Sequence, residues 1–95
     1  MVSIDQELKA AKAAKAALNT LSPAPLSEEM KKIVRGTRAT AIRAMSIFPS
    51  EALLNDARYN AGMAVSDLAT NPPTPEKIDK AKGTVEEWIN QLRVA

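Results

Sequence analysis

Histidine and cysteine are both absent from this chain, and carboxylates remain as candidate groups for acid–base chemistry. Without histidine the commonest general base and metal ligand is missing, and without either residue a structural zinc site has no ligand set. No G-x-x-x-x-G-K loop, dinucleotide fingerprint or calcium loop occurs, and Gly36, Gly62 and Gly83 are too far apart to build a phosphate cradle. Glu86 and Glu87 are adjacent, so on a helix they point in different directions and do not form an acid/base pair. Glu7 lies beside the apolar run of the first segment. Its ordinary reading is a first-turn residue reaching solvent, with a buried functional acid as the alternative. Arg58, at the edge of the third segment's apolar stripe, is expected to snorkel, its stem covering apolar surface and its head in water. The chain is accordingly expected to be non-enzymatic, with no cofactor, no metal and no evident small-molecule substrate.

Two groups of side chains suit binding instead. Lys31, Arg35 and Arg38 are spaced i, i+4, i+7 and form a basic ridge, with Lys32 close by and Ile42 continuing the ridge one turn later. A helix presenting these cations could follow a phosphate backbone, with arginine suited to bidentate contacts. Nucleic acid is therefore a candidate partner. The ordinary alternative is a solvated face that pairs with Glu28 and with the acidic third segment. Lys9, Lys12 and Lys15 make a second, looser basic stripe. No tight helix-turn-helix and no aromatic platform accompanies these cations, so any nucleic-acid binding is expected to be salt-sensitive and independent of sequence. The second group is apolar: Ile42, Tyr59 and Met63 fall off the expected core stripes. Tyr59 and Met63 share a helix face at i, i+4. Tyrosine and methionine are enriched at interface centres, so these three residues are expected to meet a protein partner or a second copy of the chain.

The elements that must position these residues are marked by punctuation. Ser3 and Gln6 have the spacing of a capping box, opening a segment that runs to about Leu21 and stops at Ser22-Pro23-Ala24-Pro25. Ser27 caps a second helix, with Glu28 and Glu29 at its positive dipole end. Pro49-Ser50 ends it, and Ser50 is expected to cap a third helix opening with Glu51. Asn71-Pro72-Pro73 closes the third, and Thr74-Pro75-Glu76 supplies an N-cap, a proline at the first helical position and an early acid.

Apolar spacing predicts helices over 4–21, 28–48, 51–70 and 75–93. The stripes are Ile4, Leu8, Ala11, Ala14, Leu18 and Leu21; Met30, Ile33, Val34, Thr37, Ala41, Ala44, Met45 and Phe48; Leu54, Ala57, Ala61, Ala64, Val65 and Leu68; and Ile78, Ala81, Val85, Trp88, Ile89 and Leu92. All follow the i, i+3, i+4, i+7 rule, and none alternates with period two. Four helices of similar length with short connections predict an all-α, antiparallel four-helix bundle, with two stacked helical hairpins as the alternative. Gly36 raises the question of a break in the second helix, but the apolar stripe passes through it in register, so a continuous helix is expected. Gly62, beside Ala57 and Ala61, suits close helix contact.

Composition agrees. Ninety-five residues suit one domain, and 45% apolar with 25% charged residues is the usual globular balance. Three aromatics are too few for a sandwich or barrel of this size, whereas alanine and straight-chain residues favour helix. The many core alanines predict a thin core, which favours self-association. The net charge is only +2, yet residues 27–48 sum to +3 and residues 49–72 to −2. No basic region followed by an apolar run opens the chain, and no stretch approaches the ~18 apolar residues of a membrane span. A soluble, cytoplasmic protein is expected, and the absence of cysteine fits a reducing compartment.

Residues 57–62, Ala-Arg-Tyr-Asn-Ala-Gly, resemble the first helix of a tetratricopeptide repeat, a 34-residue unit with an aromatic and a small residue near these places. The likeness covers six residues. The preceding helix lacks a second-helix pattern and the helices are longer than the repeat allows, so no family is assigned on it. The reading that remains is a helical interaction module: an adaptor, inhibitor, assembly factor or structural component.

Overall fold

The computed structural model describes residues 3–21, 24–70 and 73–94, so Ser22, Pro23, Asn71 and Pro72 of the expected stop signals lie outside the described residues. Four α-helices run Ile4–Asn19 (α1), Glu28–Ile47 (α2), Ala52–Thr70 (α3) and Pro75–Val94 (α4). Each packs against its two neighbours in a closed ring, α1 on α2, α2 on α3, α3 on α4 and α4 on α1. This is an antiparallel four-helix bundle, 37 Å long and about 20 Å across.

The helix starts are fixed by local hydrogen bonds. Ser3 Oγ accepts from the Gln6 N–H at 3.2 Å while Gln6 Oε1 accepts from the Ser3 N–H at 3.2 Å, completing the capping box. Ser27 Oγ accepts from the Met30 N–H, and Thr74 Oγ1 from the Lys77 N–H, both at 3.2 Å. Two boundaries differ from the sequence reading. α1 ends at Asn19, where Thr20 turns its hydroxyl onto the Ala17 carbonyl at 2.8 Å. α3 begins at Ala52, so the residue before it is Glu51 and not Ser50. The Glu51 N–H closes the preceding turn on the Phe48 carbonyl at 3.3 Å, and its own carbonyl accepts the first helical bond from Asn55 at 2.8 Å.

The core lies where the stripes place it on α3 and α4, all twelve of whose stripe residues are buried. α1 contributes Ala11, Ala14 and Leu18, with Ile4, Leu8 and Leu21 packed at the margins. α2 contributes Val34, Thr37, Ala41 and Ala44. Ile33 departs from expectation and is 37% exposed. Val34 takes the core position, and Ile33, about 100° behind it on the helix, is left on the rim. Thr37 satisfies its buried hydroxyl on the Ile33 carbonyl at 2.8 Å. α2 is continuous through Gly36, as its stripe requires. At Gly62 a Cβ would lie 3.7 Å from the Ala41 Cβ, so small residues on both helices let α2 and α3 approach closely.

Candidate functional site

Two features stand out from the alanine-rich bundle: a polar cluster inside it and an apolar groove on its surface.

The cluster is built on Glu7 and Arg58, both fully buried. Arg58 donates to the Glu7 carboxylate in a bidentate fork, Nε to Oε2 and Nη2 to Oε1, each 2.7 Å. Trp88 Nε1 donates to the same Oε2 at 2.7 Å, so α1, α3 and α4 meet on one carboxylate. The remaining terminal nitrogen of Arg58, Nη1, donates to Asn55 Oδ1 at 2.8 Å and to Glu51 Oε1 at 3.2 Å. Its guanidinium carbon stands 5.4 Å from the centre of the Phe48 ring, a cation–π contact. Asn55 in turn donates through Nδ2 to the Phe48 carbonyl at 2.8 Å, satisfying the end of α2. Among the described residues no buried side-chain nitrogen or oxygen lacks a partner.

The electrostatics follow from this geometry. Burial works against the charged guanidinium, but the hydrogen bond and the charge of Glu7, followed by those of Glu51, outweigh it. Arg58 is held above its ordinary value. Glu7 has both oxygens occupied and no surface open to solvent, so a substrate has no approach to it as an acid or base. The arrangement holds helices together. The expectation that Glu7 reaches solvent, and that Arg58 snorkels, is therefore corrected. The signal was present in the spacing. Glu7 precedes Ala11 and Ala14 at i+4 and i+7, and Arg58 stands in the series Leu54, Arg58, Ala61, Val65, so both lie on core-facing stripes. Two opposite charges on two inward stripes can be buried only if they meet.

On the surface, Ile42, Tyr59 and Met63 are 50%, 56% and 49% exposed, as their positions off the stripes imply. The structure brings the three together. With Met45, Gly62 and Arg38 they line a shallow groove of about 130 Å³ between α2 and α3. Tyr59 and Met63 also border a wider depression of about 680 Å³ between α3 and α4, whose far wall carries Lys77, Lys80 and Thr84. The two side chains thus form a crest between two grooves.

The basic ridge is less uniform than its spacing suggests. Lys31 is half-buried and pairs with Glu28 at 3.5 Å, whereas Lys32, Arg35 and Arg38 are exposed. The expected pairing with the acidic third segment does not form: among the described residues no ion pair joins α2 to α3. Glu51 is taken by Arg58, and Asp67 meets Lys77 of α4 at 3.6 Å. In the looser stripe of α1, Lys15 pairs with Glu86 of α4, while Lys9 and Lys12 face solvent. Spacing along α2 already joins Ile42 to the basic ridge, and the fold adds Tyr59 and Met63 of α3 to it. Arg38 lines the groove beside Ile42, so the ridge and the apolar surface are one face. Adjacency across α2 and α3 depends on their mutual rotation, which no local pattern encodes.

Among the described residues no group of three acidic side chains is placed to hold a metal ion. No described helix is long and apolar enough to cross a membrane. Comparisons with protein-family models, with curated proteins and with solved structures find no match to this chain.

Proposed function

We propose that this chain is a non-enzymatic protein-interaction module, an adaptor, inhibitor, assembly factor or structural component working in the cytoplasm. It binds through the outer face of α2 and α3. The observation that carries this reading is the clustering of half-exposed Ile42, Tyr59 and Met63 around a groove bordered by Arg38. A tyrosine and a methionine with an arginine at their edge have the composition of an interface centre. The buried cluster supports the reading from beneath, since Arg58 lines the floor of that groove and is held rigidly by Glu7. No cofactor or small-molecule substrate enters it.

One observation favours a second reading, a nucleic-acid-binding accessory protein: Lys32, Arg35 and Arg38 are exposed and make no ion pair among the described residues. Capture of partners from native lysate, with and without nuclease, separates the two. Tyr59→Ala with Met63→Ser is expected to abolish nuclease-resistant protein capture while leaving the fold intact. Unchanged capture by that variant would overturn the interaction reading. Arg35→Glu with Arg38→Glu would abolish gel-shift binding at low salt if the nucleic-acid reading is correct, and no shift by the unaltered chain at micromolar concentration would remove it.

A further inference from the structure

The middle of α1 is written in identical units. Lys9-Ala10-Ala11, Lys12-Ala13-Ala14 and Lys15-Ala16-Ala17 are successive copies of one triplet, and Leu18 and Leu21 follow at the same spacing. We propose that the buried Glu7–Arg58–Trp88 cluster is a register key, which selects one axial position for a helix whose own packing residues do not.

Move α1 along its axis by one triplet, so that each residue takes the place of the one three positions before it. The displacement is about 4.5 Å, with a rotation of about 60°. Ala14 then enters the buried place of Ala11, Ala17 that of Ala14, and Leu21 that of Leu18. On the outer side Lys12 replaces Lys9 and Lys15 replaces Lys12, so the solvated face is unchanged there. Alanine methyls give neighbouring helices no shape by which to tell one unit from the next, and cores without shape lose uniqueness before stability. α4 differs, since Ile78, Val85, Trp88 and Ile89 are buried side chains of unequal shape that set its position by packing. The connection to α2, residues 20–27, reaches on the order of 25 Å when extended, well beyond the roughly 8–10 Å between packed helix axes, so it can absorb the shift.

The ends of α1 tell the two registers apart, and Glu7 does so most sharply. Its buried place would pass to Ala10, which brings no acceptor. Arg58 Nε and Nη2 and Trp88 Nε1, each donating to Glu7 at 2.7 Å, would lose their partner inside the core. A charge stranded in this way costs far more than the exchange of one apolar contact for another. Leu8 would yield its place to Ala11, and Lys15 its place beside Glu86 to Leu18. Those are smaller losses, because Leu8 packs at the margin of the core and the Lys15–Glu86 pair is half-exposed. A carboxylate that accepts from two other helices has one axial position that satisfies all three donors. A lone polar residue in a coiled-coil seam fixes register in the same way, at some cost in stability.

With no native cysteine in the chain, the register can be measured directly. Spin labels at Lys12→Cys on α1 and Arg93→Cys on α4, both exposed positions, report the distance between the helices by pulsed electron resonance. The otherwise unaltered chain is expected to give one narrow distance. Moving the key by one triplet, Glu7→Ala with Ala10→Glu, is expected to give one narrow distance again. That distance is displaced from the first by up to about 4.5 Å, because α1 must slide to return a carboxylate to Arg58. Replacing the key by apolar groups, Glu7→Leu/Arg58→Met/Trp88→Phe, is expected to keep the helical dichroism and to populate the displaced distance. An unmoved distance in the folded Ala10→Glu variant overturns the proposal, and so does the original distance alone in the apolar variant. If the Ala10→Glu variant does not fold, the apolar variant decides. Loss of helical dichroism in the apolar variant also overturns it, since the cluster would then be holding the helices together without choosing between registers.

Discussion

Glu7 and Arg58 contribute to stability mainly through what each would leave behind without the other. Two charges withdrawn from water recover little net energy as a pair, but removing one strands the other in the core. Glu7→Ala and Arg58→Ala are each expected to cost about 3–5 kcal/mol in urea unfolding, whereas the double substitution costs clearly less than their sum. Additive costs would show that the fork does not couple the helices. Arg58→Lys is not a mild change here, since an ammonium cannot reproduce the fork on Glu7 together with the contacts to Asn55, Glu51 and Phe48. The raised pKa of Arg58 also has a definite consequence. A cation whose folded pKa lies above its unfolded value stabilises fully below the unfolded value, and loses that contribution only as pH rises through the folded one. For Arg58 that window begins at the ordinary guanidinium value, far above neutral, so its contribution is expected to be flat from neutral pH into the mildly alkaline range. The difference in unfolding free energy between the chain and Arg58→Ala, measured at neutral and mildly alkaline pH, checks this. A large change would mean that Arg58 titrates early.

At the scale of the elements, the helices are bounded by strong local signals and weakened by local exceptions. Thr74 presents both a capping hydroxyl and Pro75 at the first helical position, and Thr74→Ala is expected to cost about 1 kcal/mol. Gly36 and Gly83 are exposed, and a Cβ at either position would meet nothing within 4 Å. Gly36→Ala and Gly83→Ala are each expected to stabilise by about 1 kcal/mol, read as a higher Tm. A loss at Gly36 would point to a functional need for a softer α2. Gly62 differs because its missing Cβ faces Ala41. Alanine fits there in ordinary contact, while a larger residue would force α2 and α3 apart and deform the groove above them.

At the scale of the whole molecule, a core of many alanines leaves large side chains to supply most of the buried area, and Trp88 is the largest residue fully buried. Trp88→Ala is expected to cost about 3–5 kcal/mol, from lost area and an unfilled cavity, and it also removes a donor from Glu7. Chemical denaturation followed by dichroism would show it, and a loss below about 1 kcal/mol would contradict the burial of the indole. Tyr59→Ala with Met63→Ser should leave stability nearly unchanged, because surface positions away from the polar network seldom matter to folding. Those residues are half-exposed on the surface, while Trp88 is committed to the core.

Much of this architecture is legible in the order of residues. Ser3, Ser27 and Thr74 announce their helices, the stripes of α3 and α4 name their buried residues, and α2 runs through Gly36 as its pattern requires. These features are local: a cap binds an N–H three residues away, and a stripe depends only on the helical period. The exposure of Ile42, Tyr59 and Met63 could be read in the same way. Tertiary structure alone decided that Glu7 meets Arg58, 51 positions further along the chain, and that Trp88 closes the cluster from 81 positions away. It alone set Arg38 beside the apolar crest and kept the basic ridge from the acids of α3. Each of these depends on how far every helix is rotated about its own axis against its neighbours. That rotation is fixed by side-chain packing summed over the whole bundle, and no single segment carries it.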